Sequence, residues 1–108
     1  MTGSSGDGFI PTINRPGGNE SCRDLVIVTN LASPQADVIS EVQNGDVLML
    51  QVASDQGPIN ALHNGRIAGT IISRDQVRLL ACIVSGTAYE AEVLMMNGGQ
   101  CQVRVRAV

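Results

Sequence analysis

The last twenty residues constrain the fold more than any other part of the chain. Apolar and polar residues alternate in two runs, residues 89–96 and 100–108, and the tripeptide Asn97-Gly98-Gly99 lies between them. Alternation with a period of two is typical of a half-buried strand, and a glycine-containing break between two such runs is typical of a hairpin. The sequence therefore predicts an antiparallel hairpin closed by a three-residue loop.

A loop of this length predicts one register for the two strands. One face would pair Met96 with Gln100, Leu94 with Gln102, Glu92 with Arg104 and Glu90 with Arg106. The other face would pair Met95 with Cys101, Val93 with Val103, Ala91 with Val105 and Tyr89 with Ala107. A slip of one residue would exchange the two faces. Each pair of opposite charges contributes about 0.2–1 kcal/mol, so we interpret the four charged residues as a solvated face that fixes the register.

The rest of the chain predicts further short strands and two helices. Alternating or continuous apolar runs predict strands over residues 24–29, 46–53, 59–63 and 66–72, with an Asn64-Gly65 turn between the last two. Gly69 within a strand indicates a bulge, a bend or a close backbone approach. The expected fold is mainly β (α+β): a small bent antiparallel sheet or barrel of five to six strands with two short helices.

The two helices are predicted from their start signals and their apolar spacing. Ser33 as N-cap before Pro34 predicts a short helix that ends near residue 43. Ser73 and Gln76 match a capping box, which predicts a helix over residues 74–85. Its main apolar stripe would be formed by Val77, Leu80, Ala81 and Val84. So many of its residues are apolar that we expect it to be largely buried or to face a partner.

The length of 108 residues suits one domain, which we assign to residues 22–108 after a flexible tail over residues 1–21. Residues 9–16 of the tail could lie in a groove or add to a sheet edge. No apolar run has the roughly 18–20 residues of a membrane span, and the N-terminus lacks the pattern of a signal peptide. We therefore expect no membrane association and a cytoplasmic location.

Charge, cysteine and histidine patterns argue against several classes of function. A net charge of −3 disfavours nucleic-acid binding, which draws affinity from a basic surface. The three cysteines have no metal-ligand spacing, so we expect no metal and no cofactor. Cys82 and Cys101 are interpreted as small core residues, and Cys22 as the one that could be exposed. A thiol enzyme would need one of them beside His63, the only histidine, and we expect no catalytic residue.

Three motifs resemble the HIRAN-type domain. They are Gly45-Asp46 before a strand, the returning strand G-R-I-A-G-T-I at residues 65–71, and the segment L-L-A-C-I-V-S-G-T-A-Y-E-A-E-V at residues 79–93. The resemblance spans residues 42–93 and implies a small β-barrel that can bind single-stranded DNA ends. Residues 53–60 depart from the acidic–proline–asparagine loop of that family, and the aromatic and basic residues of a DNA pocket are missing. We therefore transfer the fold and none of the binding residues.

The most apolar helix supplies the expected interaction surface. Leu79 and Ile83 lie on it, and Arg66, Arg74 and Arg78 are expected around its start, where they could hold an anion or serve solubility. The sequence thus predicts a non-enzymatic interaction module that binds a protein partner or associates with itself. Binding of single-stranded DNA ends is the alternative that follows from the resemblance.

Overall fold

The computed structural model describes residues 18–108, and within them the chain forms six strands and three helices. In chain order these are α1 (Gly18–Asp24), β1 (Ile27–Asn30), α2 (Ala36–Ile39), β2 (Val47–Val52), β3 (Ile59–His63), β4 (Arg66–Thr70), α3 (Gln76–Val84), β5 (Tyr89–Asn97) and β6 (Gln100–Ala107). The strands form one antiparallel sheet in the order β1-β6-β5-β2-β3-β4, curled into a half-barrel. The mainly β prediction is confirmed, with three short helices where two were expected.

Alternating side chains place the core on the inner face of the curled sheet. Along β5, for example, Tyr89, Ala91 and Val93 are buried while Glu90 and Glu92 face outward. The same alternation buries one face of each of the other long strands, and α3 adds Leu79 and Cys82. Among the described residues, the buried core apart from Tyr89 therefore consists of aliphatic side chains and cysteines, as the composition indicates.

The predicted register of the β5–β6 hairpin is confirmed over its charged half and is wrong near the turn. Tyr89, Glu90, Ala91, Glu92 and Val93 have the predicted partners on β6. Nearer the turn the observed pairs are Met95 with Gln102, Met96 with Cys101 and Asn97 with Gln100. The turn uses only Gly98 and Gly99, both at positive φ as a two-residue hairpin loop requires. Asn97 therefore joins the strand, and a bulge between Val93 and Met95 absorbs the extra residue.

Gly69 lies where two segments of main chain approach each other, as the sequence predicted. A Cβ atom at this position would lie 2.9 Å from the Cβ of Leu31 and 3.0 Å from the carbonyl oxygen of Ala32. Ala32 exchanges two main-chain hydrogen bonds with Thr70, at 2.8 and 2.9 Å. The register between β3 and β4 also shifts opposite this point, between Ala61 and Leu62. The lack of a side chain at Gly69 thus lets the segment after β1 pack against β4.

Both predicted helix starts are wrong. Ser33 has a φ of +48° and α2 begins only after Gln35, so Ser33 is no N-cap and the helix is a single turn. Ser73 accepts a hydrogen bond from the Asp75 N–H at 3.1 Å, and Asp75 is the N-cap of α3. A local turn at Ser73 has therefore replaced the capping box, because serine hydroxyls also bond to nearby main chain outside helices.

The face that α3 buries also differs from the prediction. Val77 is 81% exposed and Val84 is 52% exposed, whereas Leu79 and Cys82 are buried. Val77 and Val84 therefore do not belong to the buried stripe. The helix also begins two residues later than predicted, at Gln76.

The N-terminal part of the domain is a helix fastened by a disulfide bond. Residues 18–24, expected to be the end of a tail and the start of a strand, form α1, and the first strand begins only at Ile27. Cys22 and Cys82 form a disulfide with a Cα–Cα distance of 5.6 Å. Both are buried, so the expectation that Cys22 could be exposed is wrong, whereas Cys82 lies in the core as predicted. The Tyr89 hydroxyl donates to the Cys22 carbonyl, which fastens α1 to β5 as well.

We expect this disulfide to contribute much of the stability of the domain. It closes a loop with a sequence separation of 60 residues, for which chain entropy alone predicts about 4 kcal/mol. The double variant Cys22→Ser/Cys82→Ser should lose about that free energy of unfolding in a urea titration. As a control, the stability of the Cys101→Ala variant should still fall when a reducing agent is added. The stability of the double variant should not change under the same treatment. Equal urea midpoints for the native chain with and without reductant would contradict the expected contribution.

A second prediction concerns Gly69. In Gly69→Ala the new methyl group would press on Leu31 and on the Ala32 carbonyl, which is main chain and cannot move aside cheaply. We expect a loss of about 1–3 kcal/mol in the free energy of unfolding, measured by urea denaturation, and a larger loss in Gly69→Val. A Gly69→Ala variant as stable as the native chain would contradict the close approach.

Candidate functional site at the sheet edge

The half-barrel has two edge strands, and they differ in how they are covered. The outer edge of β4 forms main-chain hydrogen bonds with the segment that follows β1. Ala32 bonds to Thr70, and the Gln35 N–H donates to the Ala68 carbonyl at 2.9 Å. This edge of the sheet is therefore largely occupied by the chain itself.

The outer edge of β1 has no such main-chain partner at Val28 within residues 18–108. The Leu31 N–H donates to Cys101 of β6 at 2.8 Å, whereas the Ala32 N–H points the other way, to Thr70. Because main-chain groups alternate sides along a strand, the N–H and C=O of Val28 point away from β6. Neither group has a main-chain partner in the part of the chain that the structure describes.

Exposed apolar side chains surround this stretch of main chain. Val26 is 53% exposed, Val28 54% and Ile72 57%. Ile72 lies beside β1, because the Thr29 hydroxyl donates to the Ile72 carbonyl at 3.2 Å. We call Val26, Val28 and Ile72, together with the outward main-chain groups of Val28, the β1 edge surface. It combines unpaired backbone with apolar area, which is what a docking strand needs.

A polar groove adjoins the end of β1. It has a volume of about 190 Å³ and is lined by Asn30, Met95, Asn97, Gln100 and Gln102. Gln102 links its two sides, because it lies opposite Asn30 on β1 and opposite Met95 on β5. We call this depression the carboxamide groove. Sequence reasoning missed it, because Met95 faces Gln102 only through the bulge in β5.

The structure does not bring the predicted interaction residues together. Leu79 has no exposed surface, so its side chain is not available to a partner, and Ile83 is half-buried against the core. Arg66 bonds to Asp37 of α2 and to Glu41 just beyond that helix, at 3.2 and 3.0 Å. Arg78 donates to the Ser21 carbonyl of α1 at 3.1 Å, and Arg74 is exposed at the start of α3. The contacts of Arg66 and Arg78 thus lie on different helices.

The four charged residues of the β5–β6 hairpin pair with one another as predicted. Arg104 lies 3.0 Å from Glu92, and Arg106 lies 3.3 Å from Glu90 and 3.5 Å from Glu92. The hydrogen bond from Arg104 is the main cause that lowers the pKa of Glu92 below its usual value. These guanidinium groups are therefore already neutralised by carboxylates on the outer face of the sheet.

The groups considered for catalysis have other partners. The Nε2 atom of His63 lies 3.4 Å from the Asp46 carboxylate, and its Nδ1 atom is buried with no hydrogen bond in the described part of the chain. Cys22 and Cys82 are joined in the disulfide, and burial raises the pKa of the Cys101 thiol. Since the thiolate is the reactive form, the cysteines supply no ready nucleophile in this state.

Between residues 18 and 108, no group of three or more His, Cys, Asp or Glu side chains could hold a metal ion. None of the helices described is both long enough and apolar enough to cross a membrane. The predicted cytoplasmic location stays a prediction, and residues 9–16 lie outside the described part of the chain.

The ionisation of Glu92 provides a direct check of the charged hairpin face. In Arg104→Gln the carboxylate loses its main hydrogen-bond donor, so we expect the pKa of Glu92 to rise toward its usual value. Nuclear magnetic resonance of the side-chain carboxyl carbon during a pH titration measures this directly. Arg66→Gln, which removes a guanidinium paired elsewhere, should leave the pKa of Glu92 where it was. An unchanged pKa of Glu92 in Arg104→Gln would show that the pair is not formed in solution.

Comparison with protein-family models, curated proteins and solved structures finds no match to this chain. The resemblance to the HIRAN-type domain is therefore still a prediction from the sequence motifs.

Proposed function

We propose that this protein is a non-enzymatic interaction module that binds an extended segment of another chain along β1. The segment belongs either to a partner protein or to a second copy of this chain. The observation that carries the proposal is the pair of outward main-chain groups of Val28, which lack a partner within residues 18–108 and lie among exposed apolar side chains.

Strand addition suits the physical properties of this edge. A docking strand would pair its main chain with Val28 and cover the apolar side chains of Val26 and Val28. Exposed edges usually carry charges or proline, which prevent pairing with other chains. Residues 25–32 contain neither a charged residue nor a proline. The β1 edge therefore lacks the protection that a strand meant to stay unpaired normally has.

Binding of single-stranded DNA ends remains the alternative, and charge distribution disfavours it. Nucleic-acid binding needs cationic side chains that are free to meet phosphates. Arg66, Arg104 and Arg106 are paired with carboxylates, and Arg78 is bonded to Ser21. A titration with single-stranded DNA at low salt distinguishes the two proposals, because electrostatic binding is strongest there.

The proposed location depends on the disulfide. Disulfide bonds persist in oxidising compartments and are rare in the cytosol. The buried Cys22–Cys82 bond therefore favours an oxidising compartment over the cytoplasm. A strand-binding module of this size is well suited to such a place, because the covalent bond compensates for a small core in which Tyr89 is the one aromatic residue among those described.

Substitutions at Val28 test the proposal. Proline is tolerated on an edge strand where the lost N–H faces outward, so Val28→Pro should remove the edge donor without breaking the ladder to β6. Val28→Lys places a charge on the edge instead. Val47→Lys is the matched control, because Val47 is 47% exposed on the central strand β2. We expect both Val28 variants to abolish binding along β1 and the Val47 variant to retain it.

Two measurements reveal that binding. Light scattering of the full chain over a wide concentration range detects self-association, and panning against displayed random nine-residue peptides detects capture of a foreign segment. Binding in either measurement that depends on Val28 supports the proposal. A chain that stays monomeric and selects no Val28-dependent peptide contradicts it.

A further inference from the structure

We infer that the outer face of α3 is a second interaction surface, on which a second copy of this chain packs its own α3 in the antiparallel direction. The surface consists of Val77, Ala81 and Val84, which we call the outer α3 stripe. The inference goes beyond the proposed function, because it concerns a helix face and does not use the β1 edge surface.

The outer α3 stripe is an apolar row on the exposed side of the helix. Residues four and three positions apart lie on one face of an α-helix, which has about 3.6 residues per turn. Val77 is 81% exposed, Val84 is 52% exposed, and Ala81 between them is exposed as well. The opposite face supplies Leu79 and Cys82 to the core. The helix thus presents a continuous apolar row to the solvent, which is typical of a contact surface.

The stripe is complementary to itself when two copies of α3 run antiparallel. The two-fold axis then passes midway between residues 80 and 81 of each helix. It places Val77 opposite Val84 of the partner subunit, and each such contact occurs twice, as in any isologous interface. It also places the half-buried Leu80 opposite the partner's Ala81. Because alanine is small, the two helix axes can approach to about 8 Å, the short end of the usual range.

Charge favours the antiparallel direction over the parallel one. α3 has no basic residue in its last turn, and the Val84 carbonyl has no main-chain donor within residues 18–108. Arg74 lies exposed just before the helix and forms no ion pair with the described residues. In an antiparallel pair, the Arg74 guanidinium lies beside the C-terminal end of the partner's helix, where the helix dipole favours a cation. A parallel pair would instead bring the two Arg74 side chains together.

Sedimentation equilibrium of the full chain at increasing concentration measures this self-association. Three side chains per copy form a small contact, so we expect a weak dimer that is populated only at high protein concentration. Val77→Arg and Val84→Glu should each weaken the dimer by more than about tenfold, because each buries a charge against valine. Val47→Arg, at an exposed valine of β2, is the matched control and should associate as the native chain does.

An equimolar mixture of Val77→Arg and Val84→Glu chains tests the direction of packing. In the antiparallel pair the introduced arginine of one chain faces the introduced glutamate of the other, so the mixture should associate more strongly than either variant alone. A mixture of Val77→Arg and Val77→Glu chains is the control, because these side chains meet only in a parallel pair. Recovery in this control, or its absence in the first mixture, would overturn the inference.

The outcome can be separated from the test of the β1 edge surface. Val28→Lys should leave the association through α3 unchanged. A native chain that stays monomeric at about 1 mM would contradict the inference. Self-association that Val28→Lys abolishes and Val77→Arg does not would also contradict it, while supporting the proposed function.

Discussion

The pair of hydrogen bonds between Ala32 and Thr70 determines how this sheet is arranged. These bonds draw the segment after β1 against β4, so that the two ends of a six-stranded sheet meet at one point. They depend on Gly69, because a side chain there would collide with Leu31 and Ala32. One consequence is a covered edge on β4. The other is an uncovered edge on β1, because within the described residues this pairing does not extend back to Val28.

The bulge in β5 has a similar double effect. It allows a two-residue glycine turn while Val93 and Cys101 both stay buried. A hairpin without it would keep the charged pairs or the short turn, but not both, because a slip of one residue exchanges the faces. The same bulge turns Met95 toward Gln102 and thereby forms one wall of the carboxamide groove. The bulge that keeps Val93 and Cys101 buried thus also determines which residues line the groove on the outer face.

The parts of this fold that could be predicted are those that depend on local alternation. The strand Ile59–His63 and the Asn64-Gly65 turn follow from the side-chain period and from turn chemistry, and both are confirmed. The charged pairs of the hairpin were predictable because only one register matches carboxylates with guanidinium groups. The sheet edge was expected only in general terms, and which edge stays uncovered depends on the long-range contact between Ala32 and Thr70.

Other features depend on contacts that a single sequence does not display. Cys22 lies in a polar segment and Cys82 in an apolar one, so nothing local connects them across their separation of 60 residues. The capping box predicted at Ser73 does not form, because a local turn uses the same hydroxyl. Leu79 is buried although its neighbours Val77 and Arg78 are exposed, since tertiary packing decided which face of α3 turns inward.

The disulfide and the β1 edge are linked through the chain itself. Only two residues, Leu25 and Val26, separate the end of α1 from the start of β1, and Leu25 is buried. Through Cys22, α1 is covalently joined to α3, and the Tyr89 hydroxyl holds the same turn. The exposed strand is therefore anchored at its entry by a covalent bond and at its exit by the Ala32–Thr70 hydrogen bonds. An edge fixed at both ends loses little conformational entropy when another strand pairs with it, which favours binding by a short segment.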